Sequence, residues 1–379
     1  MAFTGLAIYD SGVFNTIAED VSDDIAMISP YETPLLDVLP QAGRPAYNVL
    51  HEWLEEELGP NTVSVSVTQD DSATYIVPHK AGTAVYPYLQ VGMIFENKAT
   101  GEQMQVSAVS ANTITIIRGF GSTTAATITA GNQLDLISDA ALEGADVSGD
   151  ISVPRSRVTN YCQIFKKDII VSGTMQSVRA LGGIGDEYEH QKMQRTREAL
   201  RDLEKATIRG VLSGTTIGGS AVANTRTMKG IWAHIATNAT STNTLTTTIL
   251  DNALEAAFGN GGEPDLIVVD QKWKRIIDGW NEAKAQVIQG SVGDEKFQRR
   301  ITVYEGTFGE QQVLMDRWMP SYSLMVVSKG SVHVVPLQGR SFRHERVSKT
   351  GDAEKGMIIG EYTVEVKNEE GMAKVYGPS

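Results

Sequence analysis

The clearest alternation of apolar and polar positions lies between Gly185 and Leu212, in GDEYEHQKMQRTREALRDLEKATIRGVL. Met193, Thr196, Leu200, Leu203, Thr207 and Val211 recur at steps of three and four, so they line one stripe of a helix predicted over 186–212. Asp186 and Glu189 have the spacing of a capping box. Charged side chains fill the other faces. Arg195–Glu198, Glu198–Arg201, Arg201–Glu204 and Asp202–Lys205 are opposite-sign pairs three apart, each a modest support. Such a helix is roughly 40 Å long. Its stripe is too thin for the inside of a globule, so it is expected to lie across something else. The plain alternative is a surface helix of an ordinary enzyme or a coiled-coil strut.

Upstream, a short helical pattern over Asp20–Ile28 stops at Ser29-Pro30. MISPYETPLLDVLPQAG then carries Pro30, Pro34 and Pro40, which predicts an extended arm lying on a surface. HEWLEEEL (51–58) sets Trp53, Leu54 and Leu58 beside four glutamates. TVSVSVT (62–68) alternates strictly, as a half-exposed strand does. From 82 to 145, VGMIFEN, MQVSAVS and ANTITIIRG are short strands separated by turn residues, which predicts a small β-barrel or sandwich. Residues 150–180 return to extended structure and are expected to pair antiparallel with the strands before residue 80, making a two-stranded arm with the β-domain at its tip. Such a ribbon is barely stable alone.

Residues 213–245 read as loops with one ordered piece, GIWAHIATN. From Thr246 the pattern becomes α/β. Leu250, Ala253, Leu254, Ala257 and Phe258 mark a helix stopped by Gly259. DLIVVD (265–270) is the apolar centre of a sheet. QKWKRIIDGW follows as a helix, and ITVYEG, QVLMD, YSLMVVS and SVHVVPL complete the sheet. The tail, IIGEYTVEVKNEEGMAKVYG, predicts a β-hairpin running along the long helix.

Composition narrows the function. The 379 residues suggest two or three structural units, and a net charge of −13 disfavours tight gripping of nucleic acid through its phosphates. The lone Cys162 excludes an internal disulfide and reads as a small apolar strand residue. The opening MAFTGLAIYDSG is not a signal peptide, and no stretch is apolar enough to span a bilayer. A reducing, cytoplasm-like compartment is expected.

Catalytic, cofactor and metal sites are all expected to be absent. His51, His79, His190, His234, His333 and His344 are scattered, without a helical His pair, and His51-Glu52 lacks the second His of a zinc motif. Gly119 and Gly121 suggest a phosphate loop but no Lys follows, so a turn is the better reading. Gly182-Gly183-Ile184-Gly185 resembles a dinucleotide turn only loosely, with no βαβ unit before it. Asp265, Asp270 and Asp316 stand at strand ends as caps rather than catalytic carboxylates. Trp318 and Tyr322 are expected to serve packing or contact. Limbs that cannot bury themselves imply burial against copies of the same chain.

This order of parts resembles the major capsid proteins of tailed bacteriophages, the Hong Kong ninety-seven fold. The similarity rests on MISPYETPLL followed by HEWLEEEL, and on NYCQIFKKDIIVSG leading towards DLEKATIRG. The resemblance implies an α+β fold with an N-terminal arm (1–43), an extended loop (44–81 and 146–180) and an inserted β-barrel-like domain (82–145). It further implies a peripheral domain (181–245 and 340–379) carrying the spine helix, and an axial α/β domain (246–339). The implied protein is a structural, non-enzymatic shell subunit in the virion capsid, assembled in the host cytoplasm. Its implied partners are itself in hexamers and pentamers, a portal protein, and a scaffolding or cement protein. It would enclose double-stranded DNA without sequence-specific binding, need no cofactor, and have no membrane partner. No residue supports a covalent subunit cross-link. The rival readings are an encapsulin-type compartment, a hydrolase with a β-rich accessory domain, and a tail or baseplate protein.

Overall fold

A computed structural model describes residues 31–40, 42–59, 61–76, 78–79, 89–110, 113–141, 143–144, 146, 152–178, 185–213, 225–280, 288–289, 295–296, 302–349 and 351–378. The pattern at Asp20–Ile28 and the glycines at 182 and 183 lie outside these residues. The chain divides into two units, 1–53 with 158–379, and 54–157.

In the larger unit, the long helix α3 runs from Glu187 to Arg209, about 34 Å by its rise. Asp186 caps it, accepting from the Tyr188 amide at 2.9 Å. The reciprocal half of the capping box is absent, since Glu189 pairs with Lys192 at 2.7 Å. The helix stops because Gly210 turns into a close backbone contact. The Gly230 amide donates to the Gly210 carbonyl at 2.9 Å, and a Cβ on Gly210 would stand 2.5 Å from the carbonyl oxygens of Ala206 and Met228.

The buried face of α3 differs from the predicted stripe. Tyr188, Ala199, Leu203, Glu204, Thr207 and Ile208 are buried, while Met193, Leu200 and Val211 are exposed. Only Leu203 and Thr207 belong to both sets. The reason is the surface beneath. Strand β20 (Ala353–Val366) presents Gly356, and a Cβ there would overlap the Tyr188 hydroxyl. Tyr188 therefore seats over the missing side chain and rotates the helix accordingly.

β20 is the spine of a four-stranded sheet. It pairs antiparallel with β10 (Gln163–Ser172), β18 (Val332–Pro336) and β19 (Arg343–Val347). Phe165, Ile169 and Val171 of β10 are buried, and Ile164 and Ile170 on its other face are exposed. β10 thus belongs to this sheet and not to a projecting arm. The strand that does pair with the region before residue 80 is β9 (Ser156–Tyr161), which lies beside β1 (Leu50–Glu55) in a two-stranded sheet.

A six-stranded sheet has the order β11 (Ala239–Ser241), β21 (Ala373–Tyr376), β17 (Ser323–Val327), β12 (Leu266–Val269), β16 (Gly309–Met315), β15 (Val303–Gly306). The all-apolar β12 is explained by two cores. Leu266 and Val268 face the core shared with Leu203, Ile208 and Val364, whereas Ile267 and Val269 face α5 (Thr247–Gly259) and α6 (Gln271–Trp280). The expected sheet needs two corrections. Strand β18 joins the four-stranded sheet, where Val332 and Val334 stand opposite Val366 and Val364. The expected tail hairpin does not form, because β20 and β21 enter different sheets. Between them Asn368, in the left-handed region at φ 51, caps a short turn through Gly371. Short strands β13 (Ile288–Gln289) and β14 (Glu295–Lys296) pair with each other, and the described residues of this unit also form the short helices α2 (Gly173–Ser177) and α4 (Ile231–His234).

The proline-rich stretch expected to be extended instead forms a one-turn helix, α1 (Pro34–Val38), with Pro34 at its start. Proline tolerates that position because the first N–H of a helix lacks a partner in any case. Leu35 and Leu39 are buried in the core beside Leu203, so this part of the arm packs on its own chain.

In the smaller unit, seven antiparallel strands follow the order β3 (Tyr75–Ile76), β7 (Ile114–Ile117), β6 (Gln103–Val109), β5 (Met93–Asn97), β8 (Gln133–Asp139), β2 (Thr62–Val65), β4 (Pro78–His79). The outer strands of this order, β3 and β4, are separated by one residue. The sheet must therefore curl until its edges meet, which makes a barrel. Val63, Val65, Ile76, Phe95, Met104, Val106, Ile114 and Leu134 fill it. The barrel thus starts near residue 62, not 82, because Val63 and Val65 are needed to complete its core.

Candidate functional site

Two carboxyl groups of the larger unit lie out of reach of solvent. Glu204 on α3 and Asp316 after β16 are both fully buried. Glu204 Oε1 accepts the Leu35 amide at 2.8 Å, and Oε2 the Leu36 amide at 3.0 Å. These are first-turn N–H groups of α1, whose flanking Thr33 makes no side-chain cap. Asp316 Oδ1 accepts the Trp318 amide at 2.7 Å. Its Oδ2 receives no N–H or hydroxyl donor among the described residues. Glu204 and Asp316 act on one another as neighbouring acids, and a dry site favours one proton held on the pair. Burial, followed by the neighbouring Asp316, raises Glu204 to about 8. Burial raises Asp316 as well.

Further contacts fasten the same segment. Trp318 Nε1 donates to the Glu32 carbonyl at 3.0 Å, and Arg317 pairs with the Glu32 carboxylate at 2.8 Å. The Arg197 guanidinium lies 4.7 Å from the Tyr31 ring centroid, and the Lys205 ammonium 4.3 Å from that of Trp318. Residues 31–39 are thus strapped to α3 and to the turn at 316–319.

Another buried carboxylate, Glu361, accepts from Arg226 at 2.8 Å and Arg340 at 2.7 Å. Asn160 is fully buried and satisfied on both sides. Its amide donates to the carbonyls of Val364 and Lys229 at 2.7 and 3.0 Å, and its oxygen accepts the amides of Lys229 and Tyr161 at 2.8 and 2.9 Å. Along α3, a cleft of about 910 Å³ is lined by Lys166, Lys167, Lys205 and Arg209, with Asp202 as its one acid among the described residues. Lys167 and Asp202 form an ion pair across it at 2.5 Å.

The residues singled out from the sequence stay apart. Among the described residues no three His, Cys, Asp or Glu side chains are grouped as metal ligands. Asp270 Oδ2 accepts the Tyr322 amide at 3.0 Å and Asp265 Oδ1 the Lys329 amide at 2.8 Å, which are turn-capping roles. Cys162 is buried, and burial pushes its thiol up to about 11. His51 bonds Glu365 at 3.3 Å. His234 packs against Trp53, and burial lowers it to about 4. His344 bonds the Tyr188 hydroxyl at 2.8 Å. The loop at Gly119 and Gly121 is filled by the chain's own carboxylate. Glu102 accepts the amides of Gly119 and Ala126 at 3.2 and 3.0 Å and both Nε and Nη2 of Arg118 at 2.6 and 2.7 Å. No helix of the described residues is long and apolar enough to cross a membrane.

The family model of the SU10 major capsid protein matches residues 7–379. The chain belongs to the SU10 major capsid protein family. A major capsid protein of Pseudomonas phage PaMx41 is 24% identical over 320 residues, covering 76% of each chain. Two solved structures share the fold. The Cyanophage A-1(L) capsid asymmetric unit has a TM-score of 0.55 at 11% identity, covering 96% of this chain and 97% of that one. The capsid of an empty GTA particle has a TM-score of 0.51 at 10% identity, covering both chains fully. The fold is therefore the α+β Hong Kong ninety-seven type. This SU10-family member is a structural capsid protein of a tailed phage, and not an enzyme.

The residues that organise this capsid protein were the ones least visible in its sequence. Glu204 reads as one more charge on a solvated helix face, although it stands one position from Leu203 and four from Ile208. Asp316 reads as a strand-end cap, which one of its oxygens is. Glu361 and Asn160 carry no local signal, since their partners come from distant segments.

Proposed function

We propose that this chain associates with itself in hexamers and pentamers to close an icosahedral head around double-stranded DNA. The observation that carries this reading is apolar surface left bare on extended elements. Leu54 in β1 and Leu58 just after it, and Ile164 and Ile170 on the outer face of β10, are exposed. A soluble chain stabilises itself by covering such positions, and copies related by symmetry supply the cover. Charge supports the same reading. The basic cleft along α3 complements the acidic run Glu55-Glu56-Glu57 of another copy.

In this arrangement the four-stranded sheet with α3 is the peripheral domain, and the six-stranded sheet with α5 and α6 is the axial domain around the symmetry centres. The barrel between residues 62 and 139 decorates the shell or braces a neighbour. The net charge of −13 keeps contact with packaged DNA weak and independent of sequence. A portal protein, and a scaffolding or cement protein, complete the particle, which assembles in the host cytoplasm.

Negative-stain imaging with sedimentation of the purified full chain tests this. Closed shells or capsomer rings are expected. A chain that stays monomeric at micromolar concentration, alone and with the other head proteins of its phage, would overturn it.

A further inference from the structure

We propose that Glu204 and Asp316 form a proton-dependent latch that holds residues 31–39 against the long helix, and that departure of the shared proton releases this segment. The geometry supplies each part. Both carboxyl groups are fully buried. Asp316 Oδ2 has no N–H or hydroxyl donor among the described residues, so a carboxyl proton is what satisfies it. The same Glu204 whose carboxyl faces Asp316 holds the Leu35 and Leu36 amides. The segment is therefore fastened through a group that must stay half-neutral. Two ionised carboxylates that are neighbours in a dry site repel strongly. The proton passes to water, and nothing else is transferred.

Other charges nearby do not replace that proton. Arg209 acts on Asp316 from the end of α3 and favours its ionised form. Arg317 is engaged with Glu32, and Lys205 with the Trp318 ring. Asp37 of α1 is exposed. Arg201, on the helix beside Glu204, keeps its Nε buried without a hydrogen-bond partner among the described residues.

The sign follows from the raised carboxyl. The docked state binds the proton more tightly than the released state, in which Glu204 returns towards 4.5. Docking is fully supported below pH 4.5 and weakens as pH rises towards about 8. Each pH unit in that window multiplies the released fraction by about tenfold, and the whole window by at most roughly three-thousandfold.

Hydrogen–deuterium exchange of the full chain from pH 5 to pH 9 tests the latch. Protection factors of peptides spanning residues 33–39 are compared with those of the core strands holding Val268 and Val326. The wild type is expected to lose protection at 33–39 by about tenfold per pH unit up to pH 8, with the core strands unchanged. Asp316→Asn keeps a hydrogen-bond donor that does not titrate, and is expected to flatten this dependence. Glu204→Gln does the same from the other side if the first variant does not fold. Protection at 33–39 that is constant with pH in the wild type would overturn the latch. So would an unchanged slope in a folded variant, or loss of the core strands in parallel with the segment.

Discussion

The Tyr188 hydroxyl occupies the space that a Cβ on Gly356 would fill. Hydroxyl and seat are 168 residues apart, one at the start of the long helix and the other near the start of β20. The contact sets the rotation of α3 on its sheet. Gly356→Ala is expected to destabilise the larger unit by roughly 1–3 kcal/mol, because the buried Tyr188 ring must leave its seat. Tyr188→Phe leaves the packing and removes the bond to His344, at about 1 kcal/mol. Thermal unfolding of the two variants separates these effects, and equal losses would contradict the seat.

Leu203 and Leu200 discriminate between the observed helix face and the stripe read from sequence. Leu203 is 4% exposed and Leu200 37%. Leu203→Ala is expected to cost roughly 2–5 kcal/mol through a core cavity. Leu200→Ala should change the stability of the unassembled chain by no more than about 0.5 kcal/mol. Denaturant titration of the unassembled chain checks the contrast.

The barrel carries its own acid sensitivity. Burial pushes the Glu102 carboxyl up, but Arg118 and the amides of Ala126 and Gly119 outweigh it and hold the group below its ordinary 4.5. A depressed carboxyl contributes stability that is complete above 4.5 and is lost as pH falls through the folded value. Arg118→Met leaves a buried carboxylate without its partner, at a cost of roughly 3–5 kcal/mol. Limited proteolysis between residues 62 and 139 across pH 3–7 should show earlier cleavage in this variant. Glu102→Gln should cleave with a flatter acid dependence than the wild type.

Cys162 is expected to be silent towards thiol reagents in the native chain. Its thiol is buried and raised to about 11, so the reactive thiolate is scarce at pH 8. A chromogenic disulfide reagent should titrate it only after denaturant is added. Fast labelling of the folded chain would show that the corner between β9 and β10 opens.

The acidic and neutral pH responses of the larger unit oppose each other. Burial and the nearby Lys229 hold His234 down at about 4. Its contribution is complete above 6.5 and is lost as pH falls towards 4. His234→Phe, which keeps a ring against Trp53, is expected to make thermal stability between pH 4 and 6.5 less dependent on acid. An unchanged profile would mean that the site accommodates the charge.

Much of the architecture was legible in the order of patterns. The long helix, the short-strand module before residue 140 and the α/β stretch after Thr246 each carry a local period that side-chain burial imposes on one element at a time. Asp186, Thr246 and Gly259 mark helix ends because capping is a contact between near neighbours. What failed were several of the choices among distant partners. Val63 and Val65 look like strand residues anywhere, and only the barrel core assigns them to it. β20 and β21 alternate as a hairpin does, yet each completes a different sheet.

Local chemistry along the chain therefore determined which elements exist, where most of them end, and that their apolar surface exceeds what each can hide. The tertiary structure alone decided which face of α3 is buried and which carboxyl groups are sealed from water. Both depend on shapes brought together from far along the chain. A hollow at Gly356, a turn at Asp316 and two amides at Leu35 and Leu36 have no period in sequence by which Tyr188 or Glu204 could be matched to them.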